Sequence, residues 1–233
     1  MNMLEQVRGK LIASCQALPD EPLYGSHIMA VMARALEIGG AACIRANSPA
    51  DIAAIKEAVN LPVVGLFKAS VPGFSLHITP TLEHAHAVVA AGADMVAVDA
   101  TSRPHPDGDD GAGFIARLKA ELDIPILADI STLEEGVAAA DAGADAVGTT
   151  LAGYTPYSRQ LETWDAELLR DLVSAVDVPV IAEGRIWTPA EARQALDMGA
   201  YAVVVGSAIT RPRLITARFV RAMQADRRAA EDA

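Results

Sequence analysis

Lys68 and Glu183 are the residues of this sequence best suited to acid–base chemistry. Each ends a short apolar run, and burying a charge in that position is costly unless the charge has a partner or a function. Two such groups on opposite sides of a bound substrate could remove a proton from one face and return a proton to the other. A lysine base needs its pKa, ordinarily about 10.4, lowered by burial or by a neighbouring cation, and Arg45 could be that neighbour. The spacing leaves open a purely structural ion pair of Lys68 with Glu183 or Asp129.

Two glycine-containing dipeptides, Gly184-Arg185 and Gly206-Ser207, have the composition of phosphate-binding loops. Glycine lets backbone N–H groups approach an anion, and the start of a following helix adds the positive end of its dipole. Arg211, which follows shortly after the second dipeptide, could place a guanidinium over the same anion. Either loop alone could be only a tight turn, but the two together predict a phosphate site.

A repeating pattern of helix-like sequence, a small-residue stop and an apolar run must position these residues. Stops such as Gly92 and Gly143 supply the conformation that ends a helix, and Pro62, Pro125 and Pro179 mark strand entrances, where proline needs no N–H. Eight strands are predicted, at 11–16, 42–46, 62–67, 95–99, 125–129, 146–149, 179–183 and 202–206. Eight alternating strand and helix units favour an α/β fold of the (β/α)8 TIM-barrel type, with a doubly wound open sheet as the alternative. No linker divides the chain, so we expect one domain over residues 1–233.

The carboxyl ends of the strands meet at one rim of such a barrel, and this rim carries the chemistry. Strands 3 and 7 lie opposite one another in a ring of eight, so Lys68 and Glu183 are expected to face one another across the barrel mouth. The other polar or glycine residues predicted at these strand ends are Gln16, Arg45, Asn47, Asp99, Asp129, Thr149, Thr150, Gly184, Arg185, Gly206 and Ser207.

Composition restricts the classes of ligand and location. The 233 residues include 30 acidic and 19 basic side chains, for a net charge of −11, and 52% are hydrophobic. This composition is globular, and an acidic chain without a basic block is poorly suited to binding nucleic acid or an anionic membrane. Residues 1–10 lack the apolar core of a secretory signal, and Cys15 and Cys43 lie in apolar runs typical of reduced core thiols. We therefore expect a cytoplasmic protein that meets any anionic ligand through a local cluster of cations.

Distinctive blocks of sequence stand at the predicted strand ends. They include Ser14 to Pro19, Ile44 to Asn47, Gly65 to Lys68, Ile78 to Thr81, Ala128 to Thr132, Thr149 to Thr155, Ile181 to Arg185 and Val205 to Pro212. In this order the chain resembles the N-acetylmannosamine-6-phosphate 2-epimerase family from about Leu11 to Phe219.

The resemblance implies an isomerase that interconverts N-acetylmannosamine 6-phosphate and N-acetylglucosamine 6-phosphate, in sialic acid catabolism, without a metal or other cofactor. A phosphorylated amino sugar is then the substrate, and a homodimer is the expected assembly. The resemblance assigns Lys68 and Glu183 to proton transfer and Arg45 and Asp129 to catalytic support. It assigns the substrate pocket to Gln16, Thr150 and Tyr154, and phosphate binding to Gly184, Arg185, Gly206, Ser207 and Arg211.

The implied reaction explains these residue types. An open-chain sugar has an aldehyde at carbon 1, which makes the hydrogen on carbon 2 removable because the negative charge spreads onto the carbonyl oxygen. Arg45 is a candidate for stabilising that charge, while Asp129 could hold Lys68 or a substrate hydroxyl. Two bases on opposite faces, or a substrate hydroxyl that relays one proton, both fit the sequence.

One segment departs from the family pattern. After Lys68 the family usually continues with an Arg-Asp pair, whereas this chain continues with residues 69–74, Ala-Ser-Val-Pro-Gly-Phe, which could alter sugar preference.

Two other functions fit the strand-end residues. The first is a different phosphate-binding barrel enzyme, such as a metal-dependent epimerase or a lyase that forms a Schiff base on Lys68. The second is a catalytically silent sugar-phosphate sensor.

Overall fold

The computed structural model describes residues 3–231, with side-chain surroundings described as far as residue 224. Eight parallel strands pair in sequence order, and the last pairs with the first, so the sheet closes into a barrel. The strands are β1 Leu11–Cys15, β2 Cys43–Asn47, β3 Val63–Leu66, β4 Met95–Asp99, β5 Ile126–Asp129, β6 Ala146–Gly148, β7 Val180–Ala182 and β8 Ala202–Val205. The predicted (β/α)8 barrel is thereby confirmed, and the open sheet is wrong.

Helices connect the strands, as a parallel sheet requires. They are α1 Met3–Val7, α2 Ser26–Ile38, α3 Pro49–Ala58, α4 Leu82–Ala90, α5 Gly111–Glu121, α6 Leu133–Asp141, α7 Ala166–Ala175, α8 Pro189–Asp197, α9 Ser207–Thr210 and α10 Pro212–Glu231, with a 3-10 helix at Thr149–Leu151. Local sequence fixes several of their starts. Thr132 and Thr188 each form a capping box, in which the threonine and a glutamate three residues later satisfy one another's backbone N–H groups.

The signals that predicted the strands have the expected physical basis. Pro62, Pro125 and Pro179 each stand just before a strand and accept a hydrogen bond from a neighbouring strand through the carbonyl. Gly92 and Gly143 end helices with φ of 93° and 98°, a conformation that costs glycine little. Successive apolar residues of the strands belong alternately to two buried clusters, which fill the space on both sides of the sheet.

The barrel is closed at its amino-terminal end, which leaves the carboxyl ends of the strands as the open mouth. Met3 and Val7 of α1 pack against the same cluster as Ile12, Val64 and Met95, which point into the barrel. No helix among the described residues is long and apolar enough to cross a membrane. The assignment of residues 1–233 to one domain stays a prediction, and residues 1, 2, 232 and 233 lie outside the described part of the chain.

Candidate active site

A pocket of about 870 Å³ opens at the carboxyl ends of the strands. Pockets of this size and position hold small metabolites in (β/α)8 barrels. All but one of the residues that the resemblance assigns to the site line it: Gln16, Arg45, Lys68, Thr150, Tyr154, Glu183, Gly184, Arg185, Gly206, Ser207 and Arg211. The remaining one, Asp129, is fully buried and contacts the lining residues from behind.

Arg45 and Asp129 form a buried ion pair at this site. Arg45 Nη1 donates to Asp129 Oδ1 at 3.2 Å and Nη2 donates to Oδ2 at 2.5 Å, with side-chain exposures of 1% and 0%. Two parallel bonds of this kind match the planar guanidinium to the carboxylate. Burial by itself would lower the pKa of Arg45, but the negative charges of Asp129 and Glu183 outweigh it and raise that pKa. Asp129 therefore pairs with Arg45 and not with Lys68, while a contact of Asp129 with a substrate hydroxyl stays a prediction.

Glu183 follows β7 and is held through its backbone by Thr149. The Thr149 hydroxyl donates to the Glu183 carbonyl at 2.8 Å and accepts from the Glu183 N–H at 2.9 Å. The Glu183 carboxyl is 14% exposed, and its Oε2 lies 3.3 Å from Arg45 Nη1 and 3.1 Å from Thr150 Oγ1. Burial raises the pKa of Glu183 above the usual carboxyl range, although the positive charge of Arg45 opposes the rise.

Lys68 stands where the chain leaves β3. Its backbone N–H donates to Asn47 Oδ1 at 2.7 Å, and an antiparallel bridge with Ile78 makes residues 69–77 a loop beside the pocket. Within residues 3–224 no salt bridge joins Lys68 to a carboxylate, so the bracing ion pair that the sequence left open does not form there. Burial, followed by the positive charges of Arg211 and Arg45, lowers the pKa of Lys68 to about 8. The effect of Arg45 on the Lys68 pKa was predicted from the sequence, whereas the effect of Arg211 was not.

The two glycine loops lie side by side at the ends of β7 and β8. Gly184 has φ of 103°. Gly206 closely approaches β1, since a Cβ there would lie 3.1 Å from the Cβ of Ser14. Arg211 faces the same pocket, and its Nη2 lies 3.3 Å from Glu21 Oε2. These loops therefore bring backbone N–H groups and a partly exposed guanidinium to one side of the pocket.

Arg185 is held differently from the other predicted phosphate residues. Its guanidinium donates to the carbonyls of Ala152 at 2.6 Å and Gly153 at 3.2 Å, and lies 4.6 Å from the ring centre of Tyr154. The side chain thus fixes the loop after β6. A phosphate contact from this position would therefore come from the backbone N–H of Arg185.

Gln16 presents an unpaired acceptor to the pocket. Its Nε2 donates to Ser14 Oγ at 3.0 Å, whereas its buried Oε1 has no hydrogen-bond partner within the described residues. An unpaired buried carbonyl is costly. A hydroxyl or amide N–H of a bound substrate would satisfy it.

Sequence reasoning missed part of the pocket wall. His77, Arg103, Tyr157 and Trp187 also line the pocket, from loops that carry no strand-end pattern. Arg103 Nη2 donates to Asp99 Oδ2 at 2.6 Å and Nη1 to the Ser75 carbonyl at 2.7 Å. Of these loops, the sequence drew attention only to the one after Lys68, where residues 69–74 depart from the family pattern.

The fold and the pocket together define a (β/α)8-barrel protein with acid–base groups and candidate phosphate loops at one mouth. The model of the NanE family, described as "Putative N-acetylmannosamine-6-phosphate epimerase", matches residues 29–225. The chain belongs to this family.

Relatives and a solved structure agree with this membership. A protein named "Putative N-acetylmannosamine-6-phosphate 2-epimerase" from Caldanaerobacter subterraneus subsp. tengcongensis is 53% identical over 221 residues, which cover 94% of this chain and 93% of the relative. A protein of the same name from Clostridium perfringens strain ATCC 13124 is 50% identical over 217 residues, covering 93% of this chain and 98% of the relative. The solved structure of the N-acetylmannosamine-6-phosphate 2-epimerase from Clostridium perfringens superposes with a TM-score of 0.91 at 48% identity, covering 95% of this chain and 96% of that one.

Proposed function

We propose that this protein interconverts N-acetylmannosamine 6-phosphate and N-acetylglucosamine 6-phosphate by proton transfer at carbon 2. The observation that carries the proposal is the placement of Lys68 and Glu183 on opposite strands of one pocket. Burial lowers the pKa of the amine and raises the pKa of the carboxyl. Relatives that cover nearly the whole chain carry the name of this activity.

The two pKa shifts act in the direction that an epimerase needs. A lysine and a glutamate ordinarily differ in pKa by about six, so the proton of the pair would stay on the lysine. A smaller difference makes the neutral amine with the protonated carboxyl more populated, and this is the form that takes a proton from one face and gives one to the other. The reverse reaction starts from the ammonium and the carboxylate, which hold the same single proton.

The remaining pocket residues support this chemistry. Arg45 carries the positive charge nearest to Glu183 and would stabilise the enolate oxygen at carbon 1, while Asp129 fixes the guanidinium. The glycine loops and Arg211 would bind the phosphate. Gln16, Thr150 and Tyr154 complete the wall around the sugar. The proposed reaction requires no metal or organic cofactor, because the carbonyl of the open-chain sugar itself accepts the electron pair.

The same proposal extends to location and assembly. We infer a cytoplasmic enzyme of amino-sugar breakdown that binds no nucleic acid, supported by the net charge of −11 and by two buried free cysteines. We also infer a homodimer. Phe219, Val220 and Met223 form an exposed apolar strip on α10, and a strip of this kind favours association.

Proton NMR of the protein with N-acetylmannosamine 6-phosphate in D2O containing EDTA tests the proposal. We expect the 2-epimer to form with deuterium at carbon 2, so that the carbon-2 proton signal is lost from both sugars. Absence of epimer with a folded protein and an authentic substrate would refute the proposal. Borohydride added during turnover tests the alternative lyase, because a Schiff base on Lys68 would be trapped as a mass increase. We expect no such adduct.

A further inference from the structure

Thr150 stands between the two carboxyl groups of the pocket. Its Oγ1 lies 2.5 Å from Asp129 Oδ1 and 3.1 Å from Glu183 Oε2. A threonine hydroxyl has one proton to donate and two lone pairs with which to accept. It therefore cannot donate to both carboxylates at once, and the two contacts are satisfied together only if one carboxyl is protonated.

The surrounding charges decide which carboxyl holds that proton. Asp129 accepts both hydrogen bonds that Arg45 makes here, and its 2.5 Å contact with Thr150 is as short as an O–H donor makes to a carboxylate. The 3.1 Å contact with Glu183 is longer than the roughly 2.5–2.7 Å that an O–H donor usually makes to a carboxylate. The Asp129 carboxylate thus has three donors, while Thr150 presents a lone pair to Glu183.

We propose that Thr150 is a positioning residue that favours the protonated form of Glu183, by accepting the Glu183 O–H while donating its own O–H to Asp129. An ionised Glu183 would face the lone pair of Thr150 and the negative charge of Asp129, and only Arg45, 3.3 Å from Glu183 Oε2, favours that form from this side. A protonated Glu183 instead completes a chain of donors from Glu183 through Thr150 to Asp129 and Arg45. The charged groups that face Glu183 are Arg45, Asp129 and Lys68, and burial of the carboxyl raises its pKa in the same direction.

This assignment rests on the proposed reaction and gives Thr150 a task in it. The C2–H bond breaks, its proton goes to Lys68 Nζ and its electron pair moves onto the carbonyl oxygen at carbon 1. The electron pair then returns to carbon 2 and takes the Glu183 proton from the other face, which breaks the Glu183 O–H bond. The Thr150 O–H can then turn towards the new carboxylate, because Arg45 still holds Asp129. Proton exchange of Lys68 and Glu183 with water in the open pocket restores the starting state.

The ionisation of Glu183 in the free protein tests the assignment without any substrate. Carbon-13 NMR of protein labelled at glutamate carboxyl carbons gives the titration, and Glu183→Gln identifies the signal. Thr150→Val removes the acceptor at nearly constant volume and should lower the Glu183 pKa by about one pH unit, the size expected for a lost hydrogen bond. Thr150→Ser retains a hydroxyl and should restore the wild-type titration. Thr155→Val removes a different buried hydroxyl, which donates to Ser131 at 2.9 Å, and should leave the titration unchanged.

Turnover gives the second measurement. If Thr150 favours the protonated form of Glu183, Thr150→Val should reduce kcat roughly tenfold at neutral pH in the direction in which Glu183 gives the proton, in proportion to the shift in ionisation. The opposite direction starts from ionised Glu183, so its kcat should fall less. A Glu183 pKa that rises or stays constant in Thr150→Val would overturn the assignment, since a hydroxyl that donates to Glu183 would give the rise. This outcome is independent of the sugar, so it is distinguishable from failure of the epimerase proposal, in which wild-type protein forms no epimer.

Discussion

Arg45 and Asp129, 84 residues apart in the chain, are joined by two hydrogen bonds of 3.2 and 2.5 Å in a place closed to water. This pair fixes the guanidinium beside Glu183 and leaves Lys68 without a carboxylate partner among the described residues. The amine and the carboxyl that the reaction requires are thereby kept apart. Because each charge is buried beside the other, the free energy of unfolding depends on both Arg45 and Asp129.

Arg45→Met is expected to destabilise the protein more than a surface change of the same kind. Removal of one partner leaves Asp129 buried without its counter-charge, which typically costs about 3–5 kcal/mol of unfolding free energy. Combining Arg45→Met with Asp129→Leu should recover most of that loss but no turnover. Urea denaturation measures the differences. Arg193→Met, which breaks an exposed pair with Asp197, is the control and should change stability by less than about 1 kcal/mol.

Lys68→Ala should abolish epimerisation while leaving phosphate-dependent binding. The loss of a general base typically lowers kcat by about 10²–10⁴. Calorimetric titration with N-acetylglucosamine 6-phosphate and exchange of the carbon-2 proton measure the two properties separately. Lys119→Ala is the control, because Lys119 pairs with Asp145 and does not line the pocket. Near-native exchange by Lys68→Ala would contradict the assigned role.

The pH dependence of kcat/KM should be bell-shaped and alike in both directions of the reaction. Activity requires one proton on the Lys68 and Glu183 pair, and the forward and reverse reactants differ only in which residue holds it. Activity should fall as the pH rises through about 8, where Lys68 loses its proton. It should also fall as the pH drops through the raised pKa of Glu183, where the pair gains a second proton. Initial rates with each epimer measure this, and different bells for the two sugars would argue against a shared pair.

Arg211→Ala should weaken substrate binding and move the alkaline limb of that profile to higher pH. The guanidinium faces the predicted phosphate loops, and a charged hydrogen bond lost from a phosphate typically weakens binding by about 10–100-fold. Arg211 also lowers the pKa of Lys68, so its removal should raise that pKa. Arg213→Ala is the matched control, because Arg213 faces the same Glu21 at 3.6 Å but lies outside the pocket lining. An alkaline limb that does not move would contradict the electrostatic coupling of Arg211 to Lys68.

The apolar strip of α10 should hold two copies together. Phe219→Glu places a charge on a side chain that is 67% exposed, and we expect this variant to be a monomer where the wild-type protein is a dimer. Light scattering after size-exclusion chromatography measures the masses. Val31→Glu changes an exposed apolar residue on α2 and should leave the dimer intact. A monomeric wild-type protein would rule the homodimer out.

The sequence by itself determined the architecture and the edge at which the chemistry lies. Glycine stops, proline entrances and apolar runs are local signals, and closure of eight repeats into a ring places Lys68 opposite Glu183 by order alone. The predicted strand bounds are close to the observed ones for the same reason. Most of the bounds differ by one residue, and the difference at the end of β6 has a local cause, because Thr149 begins a 3-10 helix instead of ending the strand.

Only the tertiary structure decided which side chains are partners at that edge. Asp129 pairs with Arg45, Arg185 is occupied by the carbonyls of Ala152 and Gly153, and Thr150 contacts two carboxyl groups. Hydrogen bonds require donor–acceptor distances within a range of a few tenths of an ångström. Which groups meet this requirement depends on sheet register and on rotamers set by packing. Sequence periodicity carries neither kind of information. The pattern of residue types therefore determined where Lys68 and Glu183 stand, and the folded chain determined which groups surround them.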